Sequence, residues 1–172
     1  MADGPRTILV LGGARSGKSR HAQRLAEGWR GEHVFIATAE ALDDEMNGRI
    51  DRHRADRDAR WRTVEAPRDL PEAIRAQDGG GRVLLIDCLT MWLSNLLLAD
   101  ADLDAAGDAL AAALAGSTGR IVLVANEVGF GIVPDNALAR RFRDAAGFLN
   151  QRVAALCQAT DLVVAGMPLR LK

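Results

Sequence analysis

The residues from Thr7 to Ser19 combine an apolar run with a glycine-rich turn that ends in a lysine and a serine. The spacing Gly12-x-x-x-x-Gly17-Lys18-Ser19 is the complete pattern of a phosphate-binding loop. Glycines let the backbone curl so that successive N–H groups point at phosphate oxygens. Lys18 adds a positive charge near the β- and γ-phosphates, and the Ser19 hydroxyl can bind magnesium. The spacing predicts a nucleotide site, and a glycine-rich turn without a ligand is the simpler alternative.

The loop lies between two predicted elements, which is the context that the pattern requires. Ile8 to Leu11 is typical of a buried strand, and a helix is predicted from about Gly17 to Glu27, with its positive end toward the anion. Only Lys18 and Lys172 are lysines, so the lysine of the loop favours a role for its compact charge. The predicted phosphate contacts are Gly12, Gly13, Ala14, Arg15, Ser16, Gly17, Lys18 and Ser19.

Two further predicted strands end in polar residues. The segment Arg82 to Asp87 is an apolar run that ends in an acid, the form of the second magnesium-binding motif of phosphate-loop enzymes. Apolar strands that end in Asp are common, so this pattern gains its weight from the phosphate-binding loop. Arg120 to Ala125 runs into Asn126-Glu127-Val128-Gly129, and residues just past such strands lie where α/β sheets bind ligands. Ser19 and Asp87 are therefore the predicted magnesium ligands.

A helix predicted from Asp43 to about Arg57 places Met46, Ile50 and His53 on one face. The acidic residues of its first turn are typical of helix capping. A single histidine on an apolar stripe most often packs, and the arginines around it most often form a solvated face. From these residues alone, His53 is a candidate for function, and packing is the more common role.

Strands that alternate with helices predict an α/β fold, with a mostly parallel sheet covered by helices on both faces. With the phosphate-binding loop, this is the P-loop NTPase (RecA-like) type, and we expect residues 1–172 to form a single domain. The longest helix is predicted to start at Pro134-Asp135-Asn136, with Leu138, Phe142, Leu149, Val153 and Leu156 toward the sheet. The other predicted elements are strands at His33–Thr38 and Asp161–Ala165, an edge strand at Leu169–Lys172, and helices at Leu89–Leu98 and Leu103–Leu114.

Composition places the chain among ordinary globular proteins, with 172 residues, 48% apolar residues and a formal charge of −1. This charge balance gives no support for a nucleic acid or an anionic membrane as partner. Cys88 and Cys157 lie in separate apolar stretches, which favours buried free thiols in a reducing compartment over a disulfide or a metal site. No signal peptide or membrane-spanning stretch is predicted, so we expect a cytoplasmic protein.

Several stretches resemble one known family, in the same order and over essentially the whole chain. It is the family of bifunctional adenosylcobinamide kinase and adenosylcobinamide-phosphate guanylyltransferase of cobalamin biosynthesis. The longest of the stretches, NEVGFGIVPDNALARRFRDAAGFLNQ at Asn126 to Gln151, is far more specific than the phosphate-binding loop. The others are GGARSGKSRHAQ at Gly12 to Gln23, IAT at Ile36 to Thr38, LDDEMNGRIDRHR at Leu42 to Arg54, and WRTVEAP at Trp61 to Pro67.

The resemblance implies two successive reactions with Mg²⁺ and ATP or GTP. A nucleoside triphosphate phosphorylates the hydroxyl of adenosylcobinamide. GTP then loses pyrophosphate while its GMP joins a histidine, which matches His53, and the substrate phosphate takes the GMP to give adenosylcobinamide-GDP. Nearby arginines would keep His53 neutral for attack and neutralise charge in the transition state. The catalytic residues are thus His53 and Lys18, and Asp87 joins Lys18 and Ser19 in handling the phosphates. The further nucleotide contacts that the resemblance implies are Ala37, Thr38, Ala39, Arg54, Ala55, Asp56, Arg57 and Glu65, and a plain surface carboxylate is the alternative for Glu65.

The main alternative is a single-function small-molecule kinase that uses the phosphate-binding loop and lacks the nucleotidyl step. A regulatory GTP switch is less favoured, because Asn126-Glu127-Val128-Gly129 is not the Asn-Lys-x-Asp motif that such proteins use for guanine. A non-catalytic domain would have no use for both Lys18 and Asp87. The family resemblance also suggests a homo-oligomer, specifically a trimer.

Overall fold

A computed structural model describes residues 4–40 and 59–172, and seven strands in this part of the chain form one sheet. The order across the sheet is β3-β2-β4-β5-β1-β6-β7, and every neighbouring pair is parallel except β6 and β7. The strands are β1 (Thr7–Gly12), β2 (Glu32–Ala37), β3 (Trp61–Glu65), β4 (Arg82–Asp87), β5 (Arg120–Asn126), β6 (Ala159–Val164) and β7 (Met167–Arg170).

Helices cover both faces of this sheet, as the sequence predicts. The five described helices are α1 (Lys18–Glu27), α2 (Leu70–Gln77), α3 (Leu89–Leu98), α4 (Leu103–Ala115) and α5 (Ala137–Leu156). On one face, α2 to α5 pack on side chains such as Leu9, Ile36 and Leu123. On the other face, α1 packs its small residues Ala22 and Ala26 against the sheet. The α/β prediction with a mostly parallel, doubly covered sheet is confirmed.

The start of the longest helix is also as predicted, since Asn136 caps α5 with its side chain accepting from Ala139 N at 2.7 Å. The predicted apolar face is only partly correct, because Leu138 and Leu156 are exposed. A helix of this length spans about 30 Å, whereas a strand of six residues spans about 20 Å. Both ends of α5 therefore project beyond the sheet, and its buried positions lie nearer the middle, at Leu149 and Val153 among others.

Several boundaries differ from the predictions. The edge strand occupies Met167–Arg170, two residues earlier than predicted, because β6 ends at Val164 and a two-residue turn follows. Neither β3 nor α2 was predicted, since β3 is largely exposed and α2 is short. The helix predicted from Asp43 to Arg57 lies outside the described residues. Within the described ranges, no helix is long and apolar enough to cross a bilayer.

Candidate nucleotide-binding and catalytic site

The turn between β1 and α1 is the phosphate-binding loop, and its shape depends on two glycines. A Cβ atom at Gly12 would lie 2.5 Å from Ser16 Oγ and 2.7 Å from the carbonyl oxygen of Val163, so the loop folds closely over the end of β1. Gly17 has a φ of 93°, in the left-handed region that favours glycine. The Lys18 ammonium donates to the Gly13 carbonyl at 3.3 Å, which holds the cation over the loop.

The N-terminus of α1 points its backbone N–H groups toward the loop. Among the described residues no side chain caps this helix at Gly17, so its first N–H groups keep their capacity for an anion. Arg15 and Ala14 are exposed on the outer side of the loop, whereas Ser16 and Ser19 are half-buried. The eight predicted contact residues run without interruption from the end of β1 into the first turn of α1.

The hairpin between β6 and β7 supports this cradle from behind. Gly166 N donates to the Ser16 carbonyl at 2.8 Å, and Gly166 Cα lies 3.2 Å from where a Gly17 Cβ would be. The turn residues Ala165 and Gly166 both have positive φ, at 51° and 80°, as a tight two-residue hairpin requires. Sequence reasoning missed this contact, because the two segments are at opposite ends of the chain.

A buried carboxylate ties α1 to the same hairpin. Asp161 on β6 is only 2% exposed and bonds to His21 Nε2 at 2.8 Å, while Arg170 on β7 forms a close ion pair with its other oxygen. A buried charge needs such partners to offset its lost hydration. His21 is therefore structural, in agreement with the sequence analysis.

Asp87 ends β4 at the same edge of the sheet as the loop. It lies opposite Ala37 of β2 and Val124 of β5 in the strand register. The neighbouring thiol feels both charges: burial and, after it, the charge of Asp87 raise the pKa of Cys88 to about 12, while the charge of Lys18 opposes this rise. Only β5 separates β4 from β1 in the sheet, so Asp87 ends close to the edge where the phosphate-binding loop begins.

The end of β2 is held by polar contacts rather than left open. The hydroxyl of Thr38 donates to the Cys88 carbonyl at 2.7 Å and accepts from Cys88 N at 2.8 Å, and the residue is fully buried. Asn95 of α3 donates to the Thr38 carbonyl at 2.8 Å. The side chain of Thr38 therefore joins β2 to β4, and its predicted nucleotide contact stays a prediction. Glu65, at the exposed end of β3, lies opposite Ala37 in the register.

The end of β5 completes the edge. Asn126 lies opposite Gly12, and Glu127 N donates to the Gly12 carbonyl at 3.1 Å, so the residues after β5 contact the phosphate-binding loop directly. The signal for this position was the polar stretch after an apolar strand, although Asn126 was not among the predicted site residues. The register therefore places Glu65, Ala37, Asp87, Asn126 and the start of the loop along one edge of the sheet.

Other predicted residues are not placed by this register. His53 and the implied contacts Arg54, Ala55, Asp56 and Arg57 lie outside the described residues. Ala39 follows the buried Thr38 and is half-buried.

A groove of about 580 Å³ lies away from the loop, between α3, α4 and α5, and includes no predicted site residue. Within residues 4–40 and 59–172, no three His, Cys, Asp or Glu side chains group as a metal cage.

Comparisons with known proteins point to one family over nearly the whole chain. A family model described as cobinamide kinase / cobinamide phosphate guanyltransferase matches residues 8–171. The bifunctional adenosylcobalamin biosynthesis protein CobP of Pseudomonas aeruginosa is 51% identical over 166 residues, covering 95% of this chain and 96% of that protein. The bifunctional adenosylcobalamin biosynthesis protein CobU of Escherichia coli is 44% identical over 180 residues, covering 96% and 99%.

A solved structure shows likeness in fold alone. It is a prototypical ATPase from the type III secretion system of pathogenic bacteria, with a TM-score of 0.52 at 11% identity. The match covers 96% of this chain and 56% of that chain. This likeness agrees with the P-loop NTPase type of sheet that the phosphate-binding loop and the strand pattern predict.

Proposed function

The chain belongs to the cobinamide kinase / cobinamide phosphate guanyltransferase family, and from this premise we propose how its residues serve the two reactions. It is a bifunctional enzyme of cobalamin biosynthesis, which favours the main interpretation of the sequence over a single-function kinase. The phosphate-binding loop holds the nucleoside triphosphate in both steps. The acceptor is adenosylcobinamide in the first step and its phosphate in the second.

The kinase step uses Lys18 and the N–H groups of the loop. The substrate hydroxyl oxygen bonds to the γ-phosphorus, the bond from that phosphorus to its bridging oxygen breaks, and the nucleoside diphosphate leaves. Charge that builds on the phosphoryl oxygens is met by the Lys18 ammonium and by the positive end of α1. Positioning and electrostatics suffice for this transfer, so no covalent intermediate is needed.

Magnesium fits the donors at this edge. Mg²⁺ prefers oxygen ligands and usually takes one or two from the protein, with phosphate and water as the rest. Ser19, in the first turn of α1, supplies a hydroxyl, and Asp87, at the end of β4, supplies a carboxylate. When bound, the metal would neutralise phosphate charge.

The guanylyl step needs a nucleophile, and we assign it to His53. A ring nitrogen of His53 bonds to the α-phosphorus of GTP and pyrophosphate leaves; the substrate phosphate then displaces His53 and forms adenosylcobinamide-GDP. The chain has three histidines, and the other two are engaged elsewhere. His21 Nε2 contacts Asp161, and His33 is buried with Nε2 at 3.1 Å from the Ala26 carbonyl.

The observation that carries the proposal is the strand register, which sets Asp87, at the end of β4, on the same sheet edge where the phosphate-binding loop and Lys18 follow β1. The test is incubation with GTP labelled in the α-phosphate. We expect an acid-labile, base-stable label on the wild-type chain and none on His53→Ala. His21→Gln is the matched control and should keep the label, because His21 serves the hairpin contact.

The outcomes separate the candidate functions. Label on His53→Ala would remove His53 as the nucleophile. No label on the wild-type chain, together with transfer of γ-phosphate to adenosylcobinamide, would leave the single-function kinase. A parallel assay with ATP and GTP as γ-phosphate donors would show which nucleotide the kinase step prefers.

We also propose that the enzyme is a homo-oligomer, with a trimer as the specific expectation from the family. The outer strand β7 carries the exposed side chains Met167 and Leu169, and exposed apolar strand edges favour association. A light-scattering mass of one subunit at assay concentration would contradict this.

Buried free thiols at Cys88 and Cys157 support a reducing compartment, for which we propose the cytoplasm.

A further inference from the structure

Asn126 occupies a central place at the edge where the reaction would occur. It is the last residue of β5, and β5 lies between β4, which ends at Asp87, and β1, which leads into the phosphate-binding loop. In the register, Gly12 lies opposite Asn126, whereas Asp87 lies opposite Val124. Asn126 thus stands between the predicted metal ligand and the loop, and two residues further along the strand direction than Asp87.

The backbone of Asn126 is held from both sides. Its N–H donates to Thr90 Oγ1 of α3 at 2.7 Å, and its carbonyl accepts from Asn150 Nδ2 of α5 at 3.2 Å. Both partner side chains are buried, and burial strengthens such bonds. Two helices therefore fix this strand end, and the next residue, Glu127, bonds to Gly12.

The side-chain oxygen of Asn126 is a buried acceptor without a donor among the described residues. This Oδ1 atom is closed to solvent and accepts no hydrogen bond from residues 4–40 or 59–172. Buried acceptors without a donor are uncommon in folded proteins and are costly. Asn126 as a whole is half-buried, so a turn of its amide group about χ2 brings this oxygen to the surface of the site, where a ligand can be the missing donor.

The hydrogen-bond donors and acceptors of the reactants indicate which group can bond to Oδ1. An amide oxygen accepts hydrogen bonds, and so do ionised phosphate oxygens, so Oδ1 has no attraction for the triphosphate. Of the reacting groups in the proposed kinase step, the substrate hydroxyl is the donor. We propose that Oδ1 of Asn126 accepts a hydrogen bond from the hydroxyl that attacks the γ-phosphorus, and so orients its lone pair for transfer.

This inference rests on the proposed kinase function and adds an orienting residue to it. The hydroxyl oxygen bonds to phosphorus, the bridging P–O bond breaks, and the hydroxyl proton passes to an oxygen of the transferred phosphoryl group. Asn126 takes no proton, because an amide is not a base at neutral pH. Its contribution is alignment, and the loss of alignment in an active site can lower a rate by about a hundredfold.

The test compares Asn126→Ala and Asn126→Asp with the wild type in transfer of γ-phosphate to adenosylcobinamide. We expect kcat to fall about a hundredfold in Asn126→Ala, with KM for the nucleoside triphosphate within about threefold. Asn126→Asp keeps an acceptor oxygen at nearly the same place, so its kcat should exceed that of Asn126→Ala at least about tenfold. Urea unfolding should show Asn126→Ala as stable as the wild type, because the oxygen it removes has no described donor.

Thr160→Val is the matched control. Thr160 Oγ1 is also buried without a described partner, but it lies near the start of β6, away from the loop. This variant should keep full kinase activity. A wild-type kcat in Asn126→Ala would overturn the inference. A loss of kcat that a higher Mg²⁺ concentration restores would also overturn it, because Oδ1 would then bind the water on the metal and not the substrate hydroxyl. No phosphorylation of adenosylcobinamide by the wild type would instead overturn the proposed function.

Discussion

Replacing Gly12 with alanine perturbs the phosphate-binding loop where it leaves β1. The added Cβ would lie 2.5 Å from Ser16 Oγ and 2.7 Å from the Val163 carbonyl oxygen. The serine side chain can rotate away. The carbonyl cannot, because Val163 belongs to β6 and lies opposite Gly12 in the strand register. The backbone of the loop must therefore move outward by several tenths of an ångström.

The expected magnitude follows from this clash. Overpacking of a close-packed site typically costs about 1–3 kcal/mol, so we expect the free energy of unfolding to fall by about 2 kcal/mol. For a chain of this size, that corresponds to a decrease in Tm of about 4–8 °C. If the loop relaxes outward, nucleotide binding must restore its shape at a similar cost. That cost weakens the Kd for GTP by about thirtyfold.

Gly13→Ala supplies a matched control one residue away. A Cβ at Gly13 meets no described atom within 4 Å, so this variant should change stability by less than about 0.5 kcal/mol and GTP affinity by less than about threefold. Urea unfolding and titration with a fluorescent GTP analogue measure both quantities. Equal effects of the two substitutions, or wild-type behaviour of Gly12→Ala, would refute the steric reasoning.

Two further predictions concern the titration of side chains. Asp78 accepts from the side chain of Ser117 and from the backbone of Thr118 and Gly119, and although burial raises the pKa of its carboxyl, these hydrogen bonds hold that pKa below its usual value. Asp78→Ala should therefore lower the free energy of unfolding at pH 7 by about 1–2 kcal/mol. Urea titrations should show that this difference from the wild type shrinks below about pH 4, where the carboxylate becomes protonated. A difference that stays constant with pH would contradict this. Burial raises the pKa of the Cys88 and Cys157 thiols to about 12, so neither should react with a thiol reagent until urea unfolds the chain. The free energy of unfolding should also fall as the pH rises above about 9, because only the thiols of the unfolded chain ionise there. Rapid labelling of the native chain would contradict this.

The central strands could be predicted because helices cover both of their faces. In β1, Leu9 packs on one side of the sheet while Ile8 and Val10 pack on the other, so the sequence shows one continuous apolar run. The outer strand β3 gives no such signal. Most of its side chains, including Arg62 and Thr63, are exposed, and its pairing with β2 forms only in the folded chain. Burial on both faces is what made a strand visible in the sequence.

The location of the candidate site could also be predicted, since the carboxyl ends of parallel strands share one edge. The contacts that stiffen this edge could not, because they join distant segments. Gly166 supports Ser16 from the far end of the chain, and Asp161 of β6 bonds to His21 of α1. Pattern reasoning finds the residues that face a ligand. It does not find the residues behind them, whose types are constrained only by neighbours that the fold supplies.

Three polar side chains in otherwise apolar helix faces nevertheless carry a readable signal. Thr90, Asn95 and Asn150 are all buried, and each bonds to the backbone at or just after the end of a strand. Thr90 and Asn150 hold Asn126, and Asn95 holds Thr38. An apolar residue at any of these positions would leave a backbone group at the strand end without its partner, a cost of about 1–3 kcal/mol. A polar interruption in the sheet-facing stripe of a helix therefore indicates a strand end that must stay fixed, here the edge where phosphate would be transferred.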